Sequence, residues 1–139
     1  MKYTLGIEPK PQSRPRFTRN GRAYELKDMT TWKRSFAELL QLRKPKRIEN
    51  GSIFVSVTFY IYPPQTVSKI KTKSPVPNER LEKIYVNKRP DLDNYIKAIL
   101  DASNEILFKD DGQIAVLSAQ KLYSLNPRIE LEITNLEEN

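Results

Sequence analysis

The segment RPDLDNYIKAILDASNEILFKDDGQIAV, residues 89–116, gathers Asp91, Asp93, Lys97, Asp101, Asp110 and Asp111 within about two dozen positions. Asp91 and Asp93 stand two apart just after Pro90, where a helical pattern begins. In extended chain, residues i and i+2 point the same way, so both carboxylates can converge on one cation. From Asp93, Lys97 and Asp101 follow at steps of four, which stacks all three on one helix face. Leu92, Ile96, Ile99 and Leu100 take the opposite side, expected to face the core. Asp110-Asp111-Gly112 falls in the turn entering the next strand. The helix is roughly 20 Å long at 1.5 Å per residue, so Asp111 reaches Asp91 only if the linker folds back.

Each residue alone has a structural reading. An Asp before a helix is a common N-cap, an Asp-Gly pair a common turn, and Lys97 a partner for Asp93 in a helical ion pair of about 0.3–0.5 kcal/mol. The alternative is a carboxylate site for a hard cation such as Mg²⁺, with Mn²⁺ able to substitute. Composition narrows the chemistry. The chain has neither histidine nor cysteine. Histidine-based proton transfer, thiol catalysis, disulfides and the usual zinc sites are therefore excluded.

Charge is divided unevenly. Residues 1–90 carry 20 Lys and Arg against 7 Asp and Glu, a balance of +13. Residues 91–139 carry 4 against 10, a balance of −6. A basic majority neutralises phosphates while a compact acidic minority holds a cation against one of them. A solvated basic surface is the plainer reading of the same numbers.

Residues 3–8 alternate as a strand. A proline- and arginine-rich loop follows from Pro9 to Gly21, then Arg22-Ala23-Tyr24. Asp28 or Thr30 is expected to cap a helix running to about Arg43, with Trp32, Phe36, Leu39 and Leu40 on one face. Residues 52–62 alternate through Ile53, Val55, Val57, Phe59 and Ile61, the clearest strand in the chain. Residues 63–90 show five prolines and no period, and are expected to form a long, mobile basic loop. A second helix spans about Asp91 to Ile106, and strands near 113–123 and 128–134 flank the turn signal Asn126-Pro127. The expectation is one α+β domain over residues 1–139. Its small mixed or antiparallel sheet of about four strands packs with two main helices, in the order β-α-β-α-β-β. Exposed sheet edges would make pairing in a dimer natural.

Arg14, Arg16, Arg19 and Arg22 share one loop with Phe17 and Tyr24 interleaved, as phosphate contacts and a stacking surface require. Lys69, Lys71 and Lys73 add charge in the long connection, and Arg89 stands beside the acids. No apolar run approaches a membrane span, and the N-terminal MKYTLGIEPK has no apolar signal region. The expectation is a cytoplasmic protein without membrane association or small-molecule cofactor.

The run Arg89-Pro90-Asp91-Leu92-Asp93-Asn94, then Lys97, Asp101 and Asp110-Asp111, resembles the signature of RusA-type Holliday-junction resolvases. That signature is Asp-x-Asp-Asn-x-x-Lys with an Asp-Asp pair about one helix later. The resemblance is strongest over residues 89–121, and Pro9 to Phe17 resembles the Pro/Arg-rich loop of the phage and Gram-positive branch. The motifs that carry the resemblance do not place residues 63–88, and Pro90 stands where some members carry another basic residue. The resemblance implies metal binding and catalysis by Asp91, Asp93 and Asp111, with Lys97 in an essential supporting role and Asp110 and Asp101 as further candidate ligands. It implies a Mg²⁺-dependent homodimeric endonuclease of bacterial or phage origin, acting in recombination and repair by nicking two opposed strands of a four-way DNA junction. Two rivals stand beside it: a nuclease acting on flaps or forks, and a nucleic-acid-binding protein without catalysis.

Overall fold

A computed structural model describes residues 1–137. Its centre is the strand read most clearly from sequence, β4 (Ile53–Ile61). Ile53, Val55, Val57 and Phe59 are fully buried while the residues between them are half-buried. The period-two pattern thus sends one row of apolar groups to a single packed face.

Around β4 lie β1 (Lys2–Leu5), β5 (Ile114–Tyr123) and β6 (Arg128–Asn135), in the spatial order β1-β6-β4-β5. β1 pairs with β6 and β6 with β4 antiparallel, whereas β4 and β5 run parallel. The sheet is therefore mixed. A parallel pair needs a crossover, and here the crossover carries the acidic helix. Two helices, α1 (Lys27–Leu42) and α4 (Leu92–Ser103), cover the apolar face. Phe36 and Leu40 from α1 and Tyr95, Ile99 and Ala102 from α4 meet the β4 row, and the Tyr95 ring lies 5.4 Å from that of Phe59.

Several boundaries differ from expectation. β1 ends at Leu5, where Ile7 N–H donates back to Leu5 in a tight turn. Neither Asp28 nor Thr30 caps α1: Leu26 holds the N-cap position, and Asp28 sits inside the first turn, paired with Lys10 at 3.1 Å. An acid there complements the helix dipole without being the cap. α4 stops at Ser103, and Glu105 takes a left-handed φ of 68°. Its buried stripe is Tyr95, Ala98, Ile99 and Ala102, with Leu92, Ile96 and Leu100 half-buried at the margins. Part of the Arg-rich loop is a small hairpin, β2 (Arg16–Phe17) with β3 (Ala23–Tyr24), closed by a turn in which Gly21 takes a φ of 79°.

The 63–90 connection departs most from the expected long loop. It carries two short helices, α2 (Gln65–Ser68) and α3 (Asn78–Leu81), and buries Ser68 and Leu81. Val86 N–H donates to Lys121 O at 2.9 Å and Tyr123 N–H to Ile84 O at 3.3 Å, so residues 84–86 lie along the end of β5. Its α3 end is fastened too. Glu82 accepts from Arg128 Nη1 at 2.9 Å and from Ser124 Oγ at 2.6 Å, and Leu125 N–H donates to Asn78 Oδ1 at 2.8 Å.

Candidate metal and nucleic-acid site

At the start of α4, Asp91 occupies the N-cap position with extended backbone, yet its side chain makes no capping hydrogen bond. The carboxylate is exposed. The structural reading of this residue, an Asp spent on the helix end, is not realised. The backbone leading into it is held from outside. Lys121 Nζ, on β5, donates to the carbonyls of Lys88 at 2.8 Å and Pro90 at 2.7 Å, gripping the chain on both sides of Arg89. A charged donor on two carbonyls makes stronger bonds than neutral pairs do.

Along the outer face of α4, Asp93, Lys97 and Asp101 are all exposed. Among the described residues Lys97 makes no ion pair with either acid, so its ammonium is free to meet an external anion. Asp101 is held at 3.2 Å by Lys33 of α1, which also grips Glu25. Glu25 accepts from Gln12 Nε2 at 3.0 Å and from Thr30 Oγ1 at 3.0 Å. Burial pushes the Glu25 carboxyl up, but Lys33 and these donors outweigh it and hold the group below the usual carboxylate range. Gln12 N–H donates to Asn94 O at 2.9 Å, docking the N-terminal loop on α4. The result is an open cleft of ≈ 240 Å³, where Arg14 and Lys97 face Asn94, Asp101 and Glu25.

At the other end of α4, Asp110 and Asp111 divide into two roles. Asp110 caps a short 3-10 turn, Asp111–Gln113: its carboxylate accepts from Gly112 N–H at 3.2 Å, and Gln113 Oε1 accepts in return from Asp110 N–H at 2.9 Å. The same glutamine donates to Ile48 O at 3.3 Å and Gly51 O at 3.2 Å, which ties the turn to the chain before β4. Asp111 is exposed, and its carboxyl is pushed above the usual range by a hydrogen bond with Asp110, by burial, and by the negative charges of Asp110 and Asp101. A cation would relieve that repulsion.

The acids expected to act together are thus not gathered at one point. Asp111 hydrogen-bonds with Asp110 and feels the charge of Asp101, while Asp91 and Asp93 stand about 15 and 12 Å from Asp101 by the helix rise per residue. Among the described residues no three carboxylates converge as a ready metal cage. The donors still suit Mg²⁺, which takes one or two carboxylates, keeps water and completes its shell with phosphate oxygens.

Of the basic residues singled out in the sequence, Arg14 lines the cleft and Arg16, Arg19 and Arg22 sit exposed on the β2–β3 hairpin, whose Phe17 and Tyr24 are exposed as well. Arg89 is exposed beside Asp91. Lys69, Lys71 and Lys73 are exposed after α2, and among the described residues no hydrogen bond or ion pair ties them to α4.

Residues 6–134 match the family model of endodeoxyribonuclease RusA. This chain belongs to the RusA endodeoxyribonuclease family. Membership makes it a DNA-cutting enzyme by descent and connects it to Holliday-junction resolution. The uncharacterized protein YqaN of Bacillus subtilis strain 168 is 34% identical to this RusA-family chain, covering 96% of the chain and 94% of that relative. No helix of the described residues is long and apolar enough to cross a membrane.

Sequence reading missed three residues that fasten the segments of the candidate site. Lys33 reaches Asp101 across 68 positions, and Lys121 reaches its carbonyl partners across 31 and 33, separations that leave no local signal. Gln113 had one. Asp110-x-x-Gln113 has the spacing of a capping box.

Proposed function

We propose that this chain is a Mg²⁺-dependent, structure-specific endonuclease that resolves four-way DNA junctions by paired symmetric nicks, working as a homodimer in the cytoplasm of a bacterium or on phage DNA. Family membership supports the substrate class. The observation that carries the chemistry is Asp91: an exposed carboxylate at a helix N-cap that does no capping, next to Asp93 on the same helix end. Asp91 with Asp93 at one end of the row, or Asp111 beside Asp101 at the other, would supply the one or two carboxylates that Mg²⁺ takes. When bound, the metal polarises the scissile phosphate and lowers the pKa of a water.

The chain's own residues do the rest. Lys97, without an ion-pair partner among the described residues, would meet the charge that develops on phosphate oxygens. Arg14 borders the cleft beside it, and Arg16, Arg19, Arg22 and Arg89 supply backbone contacts that fix the register of the DNA. Lys121 holds the carbonyls before Asp91 and so sets the direction in which that carboxylate projects. Paired nicks need two such sites related by a two-fold axis, which a C2 dimer provides.

The test is cleavage of a labelled four-way junction with and without Mg²⁺, beside linear duplex, a flap and a fork, using the native chain and Asp91→Asn. Paired nicks in the junction alone, dependent on both Mg²⁺ and Asp91, are expected. One observation favours a second reading, a junction-binding protein without cleavage: the described residues gather no three carboxylates. It predicts tight, salt-sensitive binding with no nicks under Mg²⁺ or Mn²⁺.

A further inference from the structure

The sequence between α1 and β4 reads Arg43-Lys44-Pro45-Lys46-Arg47, four cations in five residues. The structure separates these cations into two kinds. Arg43 and Arg47 are tethers. Arg43 donates to Thr4 O at 2.7 Å, and Arg47 pairs with Glu49 at 2.8 Å and donates to Glu105 O at 3.3 Å. Lys44 and Lys46 are exposed and have no hydrogen-bond or ion-pair partner among the described residues. Position beyond a helix C-terminus accounts for cations in the last turn, but not for Lys46 three residues further on.

The tethers and backbone bonds hold this segment at the Asp111 end of α4. Ile48 N–H donates to Leu107 O at 2.9 Å, and Lys109 N–H donates to Ile48 O at 3.3 Å. Lys109 brings a third exposed ammonium to the same place. Lys46 and Asp111 each lie two residues from that joined pair, so their backbones are within about 20 Å of one another. That span is about six base pairs of duplex at ~3.4 Å each. The N-terminal arginine loop docks at Asn94, toward the opposite end of the helix. Cations therefore flank the carboxylate row at both ends.

Lys44 adds a second argument. Its φ of 50° is left-handed, at a helix end where glycine is the cheaper residue. A lysine stands where the backbone disfavours one, and no contact within the described residues uses its side chain.

We infer that Lys44, Lys46 and Lys109 form a second phosphate-backbone site, which takes the DNA arm leaving the carboxylate row at its Asp111 end. This rests on the reading of the chain as a nuclease acting on branched DNA.

The experiment is binding of a fluorescent four-way junction in EDTA across a salt series, so that no cleavage enters the measurement. Each phosphate contact contributes about 0.9 to the slope of log K against log salt. Lys44→Ala/Lys46→Ala should flatten the slope by about 1.8 and so weaken binding about sixtyfold at ~100 mM salt, with the difference vanishing toward ~1 M. Lys2→Ala/Lys83→Ala removes the same charge from exposed positions elsewhere and should leave the slope near that of the native chain. Lys44→Gly relieves the left-handed backbone, so it should keep or raise the thermal midpoint while still weakening binding. A slope unchanged in the patch variant, or lowered equally in the control, overturns the inference. Loss of cleavage in the native chain with these binding differences intact would instead overturn the nuclease reading and leave the site standing.

Discussion

Two aspartates of this chain hold the same position at the start of a helical turn, and they behave oppositely. Asp110 spends its carboxylate on Gly112 N–H and receives Gln113 in return, closing a capping box. Asp91 has the N-cap backbone of α4 but no cap hydrogen bond, and the residue three further on is Asn94, not the glutamate or glutamine a box needs. One acid is occupied by its own backbone; the other is held ready by something else. The chain before Asp91 is fixed by Lys121, so the helix end is organised without using the carboxylate. The difference separates an acid that builds the site from an acid that can act in it.

The largest effect should come from the idle aspartate. Asp91→Asn should lower the rate of junction cleavage by at least about 10³-fold, or about 4 kcal/mol in the barrier. Junction affinity and thermal midpoint should hold, as gel shift and melting will check. A melting loss comparable to that of a cap variant would place Asp91 with Asp110 after all.

Next comes the clamp. Lys121→Met keeps the length of the side chain and removes both charged donors, and single-turnover cleavage should fall about tenfold with little change in binding. Lys121→Arg, which restores donors to the two carbonyls, should recover much of the rate. Equal loss in affinity and rate would mean the clamp supports the fold in general and not the direction of Asp91.

Smaller still, Asp110→Ala should cost about 1 kcal/mol of stability, the usual value of an N-cap, with cleavage reduced only as far as Asp111 shifts. Chemical denaturation measures it directly.

The smallest effect concerns the far fastening of the 63–90 connection. Hydrogen bonding to Arg128, then Ser124 and Asn78, holds the Glu82 carboxyl below its usual value against the cost of burial. A carboxyl lowered in the folded chain stabilises fully above its unfolded value, near pH 4.3, and that stability is lost as pH falls through the lower folded value. Melting temperature should therefore drop as acid is added below about pH 5, and Glu82→Gln should flatten part of that drop at a cost of about 1 kcal/mol at neutral pH.

What could be read from sequence follows from the range of the interactions. β4 was legible because alternation over nine residues is a local consequence of one buried face. α4 was legible for a similar reason, as Asp93, Lys97 and Asp101 share an outer face opposite Tyr95 and Ile99. The two-residue strands at Arg16 and Ala23 and the four-residue helices at Gln65 and Asn78 are too short to show a period. The candidate site was legible as a list of acids but not as a grouping. Whether Asp111 met Asp91 or Asp101 depended on how residues 104–110 fold, and that turn is directed by Gln113 bonding to Ile48 and Gly51, more than 60 positions earlier.

The grip of Lys121 on the carbonyls of Lys88 and Pro90 has a consequence in time. β5 is the next-to-last strand, so on the ribosome α4 emerges well before the lysine that holds the chain leading into it. A growing chain already carries its whole arginine loop and every acid of the row while its clamp is still being synthesised. If the proposed roles hold, the basic loop is complete before the start of α4 is fixed, and that helix end is set only when the sheet closes.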